Sequence, residues 1–395
     1  MMVALVEIIS KEMIKPSSPT PDHLKGLRFS CLDQITNPVY TPLIFFYQAA
    51  DVVHENANKS LMLKQSLSEI LTVFYPLAGQ VEGNSSINCN DNGVEFVEAK
   101  VHGQLSDIIE EPNLEELKHF LPKEPFNSLN ENIILSLQVN FFDCGGIAVG
   151  VSLLHKAGDG KTNSFSFVPI SDEKVITKRL ILDRKKLTDL KDEIVSAPGS
   201  QLKDPTRVEV ASAFIWKHYI IDSTKKKIQL QLPNDVVENV FIAQHVVDMR
   251  PRMNPPLLPE NAFGNCVLFT PLDIMSYDDN DQHEMHHLAY QLRKAIKKID
   301  GDYIKQFQIE GERFFINIFK QLDSILKGRG RLCSFSSWCK FPFYEVDYGW
   351  GKPLWVCTTP FPLKDLVIFM TTPSGDGIEA WINMLEDDMK IIGIE

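Results

Sequence analysis

Residues 155 to 162 read His-Lys-Ala-Gly-Asp-Gly-Lys-Thr, and two chemistries compete for them. Gly160-Lys161-Thr162 is how a phosphate-binding loop ends. That loop also needs a glycine five residues before its last one, so that backbone N–H groups wrap the phosphate. Here the place is taken by His155. The other reading starts from that histidine. An imidazole has an unperturbed pKa of about 6.5, so much of it is a neutral base near neutral pH. Held within about 3 Å of a hydroxyl, it takes the proton as the oxygen attacks a carbonyl, a contribution on the order of 10²–10⁴ in rate. Asp159, four residues on, either holds the histidine or braces the turn. Taken alone, the spacing is more often a strand that ends in histidine before a Gly-Asp-Gly turn. No covalent nucleophile is nominated: there is no Gly-x-Ser-x-Gly, and Cys144 lies in a turn without a histidine beside it.

A second constellation, His283-Glu284-Met285-His286-His287, matches the H-E-x-x-H zinc pattern. The helix expected over 283 to 299 has its apolar stripe at Leu288, Leu292, Ile296 and Ile299. On 3.6-residue geometry His287 lies about 100° and His283 about 140° from Leu288, on a flank or the solvent side. No third ligand follows, and the seven cysteines are scattered without a C-x-x-C, so the expectation is no metal and no disulfide frame. The net charge of −12 disfavours nucleic acid and anionic membrane surfaces as partners. Lys225 to Lys227, and Lys294 with Lys297 and Lys298, read as solvated faces. No apolar stretch is long enough to cross a bilayer, and the N-terminal start, interrupted by Glu7, lacks the features of a secretory signal. A cytoplasmic protein is expected.

The elements that must position His155 follow from pattern. "VALVEII" reads as a first strand and 16 to 22 as a connector. Leu63, Leu67, Ile70, Leu71 and Phe74 form one face of a helix. Asn92-Gly93 predicts a hairpin turn within 87 to 99, and Asp143 to Gly146 predicts a second one. The strand returning from the second, Ile147 to Leu154, is nearly all apolar or small and reads as buried on both faces, with His155 at its end. Thr206 and Glu209 make a capping box that opens a new helix, so a boundary is placed before Thr206. Strands follow at 239 to 249, 353 to 359, 366 to 372 and 378 to 385. Strands and helices mix without a βαβ rhythm, which predicts α/β with mixed sheets in two domains.

The second half also carries Asp347-Tyr348-Gly349-Trp350-Gly351. With His155 and Asp159 upstream, the chain resembles the BAHD family of plant acyl-CoA-dependent acyltransferases, whose hallmarks are H-x-x-x-D and D-F-G-W-G. Further matching stretches include "LDQ" at 32 to 34, "FYPLAG" at 74 to 79, "FFDCGG" at 141 to 146, "MRPRMNPPL" at 249 to 257, "FGN" at 263 to 265 and "SSWC" at 336 to 339. The alkaloid-acetylating branch is the most similar. The resemblance implies two chloramphenicol-acetyltransferase-like domains, 1–170 and 206–395, joined by a short crossover, 171–205, with a channel between them onto which His155 opens. It implies a monomer that takes acetyl-CoA as co-substrate and transfers the acyl group to a hydroxyl of a small specialised metabolite in a ternary complex. His155 is then the general base. Asp159 pairs with Arg250, or else with Arg252, and holds the loop. Asp347 to Gly351 are structural, with Trp350 in a core. Ser336 and Trp338 are either donors to the tetrahedral intermediate or, for Trp338, only core. No residue is nominated for the CoA phosphates. The chain departs from the family pattern at Gln80, where arginine usually follows "LAG", at Tyr348 in place of phenylalanine, in its early end at Glu395, and in the segment after Asp159, which is short. A true deletion there would remove part of the acyl-pocket wall, so the alternative is a family member that binds a small molecule without transferring an acyl group.

Overall fold

A computed structural model describes residues 5–48, 56–124, 132–158, 173–230, 240–253, 262–271, 273–276, 284–327 and 330–392. In chain order its strands are β1 (Leu5–Ile14), β2 (Gly26–Arg28), β3 (Tyr40–Tyr47), β4 (Gln80–Glu82), β5 (Ser86–Asn88), β6 (Val94–His102), β7 (Leu135–Phe142), β8 (Ile147–Leu154), β9 (Val175–Leu182), β10 (Val240–Asp248), β11 (Val267–Phe269), β12 (Asp273–Ser276), β13 (Gly330–Ser337), β14 (Trp355–Cys357), β15 (Leu366–Thr371) and β16 (Ile378–Leu385). Helices are α1 (Cys31–Ile35), α2 (Asn56–Val73), α3 (Leu105–Glu110), α4 (Arg184–Ser196), α5 (Arg207–Ile215), α6 (Asp222–Leu230), α7 (Met285–Lys298), α8 (Gly301–Glu310), α9 (Glu312–Lys327) and α10 (Glu386–Ile392). The chain divides into two units: residues 1–160 with 263–265 and 341–360, and residues 161–262 with 266–340 and 361–395.

The first unit is built on a six-stranded mixed sheet in the order β1-β6-β7-β8-β3-β14. Gly145, at φ 86°, makes the turn that joins β7 to β8, and the two strands pair antiparallel as the sequence predicts. β8 runs between β7 and β3 and is buried at every position except Val151 and Leu153, which are half-buried. The hairpin expected at Asn92-Gly93 does not form. β5 pairs with β2 and β4 in a separate three-stranded sheet, whereas β6 pairs with β1 and β7. Gly93 still needs its freedom: φ is 98°, and a Cβ there would lie 2.6 Å from the Ile14 carbonyl oxygen. The positive-φ signal was read correctly, but it marks a crossing between sheets.

The last strand of this sheet is β14, antiparallel to β3, so residues 341–360 belong to the first unit although the sequence assigned them to the C-terminal domain. The second unit has a seven-stranded sheet, β11-β10-β13-β15-β16-β9, with β12 also on β10; β10, β13 and β15 are parallel and the other pairings antiparallel. Residues 171–205, expected as a crossover, instead supply β9, which pairs with β16 from Leu182–Ile378 to Val175–Leu385, and α4, which buries Leu187, Leu190 and Ile194. The Thr206–Glu209 capping box is present at α5, and Arg293 ties the Glu209 carboxylate to α7. The core joins α4, α5 and α7 to one face of the sheet through Val210, Ile215, Leu288, Leu292, Phe335 and Phe369. The fold is two-unit α/β with mixed sheets.

Candidate active site

β8 delivers His155 from the middle of the first unit's sheet into a single 3-10 turn, His155–Ala157. The backbone there is held tightly. The His155 N–H donates to the Val39 carbonyl at 2.8 Å, and the His155 carbonyl accepts from the Gly158 N–H at 3.1 Å and from Asn265 Nδ2 at 3.0 Å. The imidazole is 0 % exposed. Lys156 and Ala157 in the same turn are buried as well.

Lys156 points its ammonium at the carbonyls of Asp33 (3.4 Å) and Gln34 (3.2 Å) and at Asn84 Oδ1, with the Phe29 ring 5.7 Å away. Burial lowers its pKa, and the Asp33 charge works against that shift. A polar cavity of about 320 Å³ lies beside it, lined by Gln34, Asn37, Asn84 and Asn132 among others.

Asp159 and His283 lie outside the described residues. Arg250 is buried in a 3-10 turn. Its Nη1 and its N–H both meet Asp248 Oδ1, at 3.2 and 3.0 Å, and its Nη2 donates to the Ala262 carbonyl at 3.0 Å. Arg252 caps a helix end: its Nη1 donates to the Ile296 and Ile299 carbonyls at 2.8 and 2.7 Å, where the last turn of α7 leaves them unmatched.

Ser336 and Trp338, in the second unit, are brought together. Trp338 Nε1 donates to Ser336 Oγ at 3.2 Å, and both side chains are buried. Asp347 Oδ1 accepts the N–H groups of Gly349 (2.8 Å) and Gly351 (3.0 Å), and both glycines sit at positive φ, 98° and 104°. A Cβ at either place would be strained. Trp350 is half-buried rather than in a core; it packs edge-on to Tyr47 and beside Tyr348, with the Lys59 ammonium over its ring. Burial raises the Tyr348 pKa.

In the zinc-like stretch, Glu284 precedes α7 and is paired with Lys217 at 2.8 Å, and the His286 and His287 rings are 4.3 Å apart. Among the described residues no group of three or more His, Cys, Asp or Glu could hold a metal ion. Lys294, Lys297 and Lys298 form an exposed face.

Two residues to which the sequence assigned no role adjoin His155. Asp33, from "LDQ", caps α1; Asn265, from "FGN", is hydrogen-bonded to it and to the His155 carbonyl. Their presence in matching stretches was the only available signal, since 232 residues separate them.

The Transferase family model matches residues 4–168 and 170–395. The chain is 36 % identical to stemmadenine O-acetyltransferase of Catharanthus roseus, over 99 % of this chain and 97 % of that protein. It is 37 % identical to vinorine synthase of Rauvolfia serpentina, over 100 % and 97 %. The first alignment runs over 431 positions against 395 residues here, so that relative carries residues without a counterpart in this chain. The crystal structure of vinorine synthase superposes with a TM-score of 0.80 at 35 % identity, covering 98 % of this chain and 96 % of that one. With both hallmark motifs in order and the match running end to end, the chain belongs to the Transferase family, the BAHD acyl-CoA-dependent acyltransferases that its sequence resembles.

Proposed function

We infer that this protein transfers an acetyl group from acetyl-CoA to a hydroxyl of an alkaloid-like specialised metabolite. The carrying observation is end-to-end relatedness to stemmadenine O-acetyltransferase and vinorine synthase, with the family's histidine kept at the end of a central strand. In the reaction, His155 takes the hydroxyl proton as the oxygen attacks the thioester carbonyl. The tetrahedral intermediate collapses, the C–S bond breaks, and the departing sulfur receives the proton back from the imidazolium. The Ser336–Trp338 pair is the candidate donor to the developing oxyanion, since an indole N–H already polarises the hydroxyl. On the family resemblance, Asp159 is assigned to hold its loop, and the Asp347 carboxylate closes the turn that ends at Gly351. The base role rests on kinship and on the place of His155 at the end of β8.

Among the described residues no helix is long and apolar enough to cross a membrane; a cytoplasmic monomer is the reading that goes with this chemistry. The test is acetyl-CoA with a panel of hydroxylated alkaloids, read by mass spectrometry. His155→Ala is expected to stay folded and lose about 10²–10⁴ in rate, and a near-full rate removes the base assignment. Failure to bind acetyl-CoA in calorimetry favours a ligand-binding member that transfers nothing.

A further inference from the structure

We propose that Asn265 and Asp33 are positioning residues for His155: the Asp33 carboxylate orients the Asn265 carboxamide, which fixes the peptide from which the imidazole projects. This rests on the reading of His155 as the base. The chain of bonds is continuous and lies wholly within the first unit. Asp33 Oδ2 accepts from the Ser30 N–H at 2.8 Å and the Ser30 hydroxyl at 2.7 Å, which anchors the carboxylate in the capping box of α1. Asp33 Oδ1 then accepts both the Asn265 N–H and Asn265 Nδ2, each at 2.8 Å. Nδ2 reaches on to the His155 carbonyl at 3.0 Å and the Lys156 carbonyl at 3.4 Å. All three groups around Nδ2 are acceptors, so the amide has one chemically sensible orientation. Among the described residues its Oδ1 is buried with no hydrogen-bond partner.

The surroundings serve the same geometry. Gly264, at φ 106°, turns the chain so that the Asn265 N–H faces Asp33, and its missing Cβ would lie 3.6 Å from Asp33 Oδ1. On the other side of the turn, Lys156 Nζ returns to the Asp33 and Gln34 carbonyls. The 155–156 peptide is therefore tied to α1 through a carboxamide and an ammonium, which fixes the backbone from which His155 projects. A misplacement of about 1 Å at a reacting group costs on the order of 10² in rate.

The experiment uses the full-length protein with Asn265→Ala, His155→Ala and the double variant, and with Asp33→Asn as the substitution that keeps shape should Asn265→Ala fail to fold. Activity is read with acetyl-CoA and the alkaloid that the wild type acetylates, per mole of protein shown by calorimetry to bind acetyl-CoA. Asn265→Ala is expected to lower kcat by about 10–100-fold, with KM and the acetyl-CoA Kd within about two-fold, and to change the residual rate of His155→Ala by less than about two-fold. An unchanged kcat per binding-competent molecule, or an equal loss in both backgrounds, overturns the proposal. Histidine ring NMR gives a readout independent of turnover, with the His155 signal assigned by its loss in His155→Ala. That signal should shift in Asn265→Ala, or in Asp33→Asn, and an unmoved signal refutes the clamp. Should His155→Ala keep full rate, the base reading fails, and the NMR result alone decides whether the clamp exists.

Discussion

Gly150 sits mid-way along β8, paired with Ile44 of β3 on one side and Gln138 of β7 on the other. A Cβ placed on it would lie 2.0 Å from the Phe120 carbonyl oxygen and 3.0 Å from its carbon. A relaxed carbon–oxygen contact needs about 3.3 Å, so in Gly150→Ala the 117–121 segment must retreat by more than about 1 Å. That segment is not free to do so. The Phe120 carbonyl accepts Asn140 Nδ2 at 3.0 Å and the His119 carbonyl accepts Gln138 Nε2 at 2.8 Å, both from side chains buried within the sheet. Each buried bond broken costs about 1–3 kcal/mol, and residual overpacking adds about 1–3 kcal/mol. A total of about 3–9 kcal/mol for the two bonds and the overpacking is a large share of the roughly 5–15 kcal/mol that holds a domain folded. At about 2–4 °C per kcal/mol for a unit of this size, the first unit should melt at least about 6 °C lower. Circular dichroism melts and urea titrations of the full-length protein measure this. Gly103→Ala, where nothing lies within 4 Å, serves as the neutral control. A Gly150→Ala melting point within about 2 °C of wild type would refute the argument that this backbone contact is rigid.

Two further outcomes concern the second unit. His245 is wholly enclosed; burial pushes its pKa down to about 4, with Glu209 pulling the other way, and Ser212 Oγ lies 3.0 Å from its Nε2. The unfolded chain takes up this proton near pH 6.5, so the stabilisation is complete above that value and is lost as pH falls towards 4, by about 3 kcal/mol in all. Between pH 7.5 and 5, His245→Gln should lose about 2 kcal/mol less than wild type in urea titrations, and equal losses would show that His245 is not the titrating group. Arg331 joins Asp365 (2.7 and 2.8 Å) and Asp388 (2.8 Å), all three at most 2 % exposed. Arg331→Met strands two buried carboxylates and should cost about 3–5 kcal/mol; a variant as stable as wild type in guanidinium titration would mean that α10 is held to the sheet by apolar packing alone.

What could be read without a structure was local. The Thr206–Glu209 capping box, the Gly145 turn, the burial of β8 and the place of His155 at its end each depend on dihedral preferences or periodicity within a window of a few residues, and such preferences survive almost any tertiary setting. The family likeness added the end-to-end correspondence of motifs. Other features were decided only by tertiary contact. Gly93 has the same left-handed backbone whether it closes a hairpin or crosses between sheets, so its strands' partners had to come from distant segments. β14 joins a sheet made from the first half of the chain, and β9 pairs with β16 some 200 residues on. The bonds of Asn265 to Asp33 and His155, and the enclosure of the imidazole, likewise span long stretches of sequence. Long-range pairing is selected by the burial and hydrogen bonding of the whole unit against the entropy of closing large loops, and no short window of sequence carries that balance.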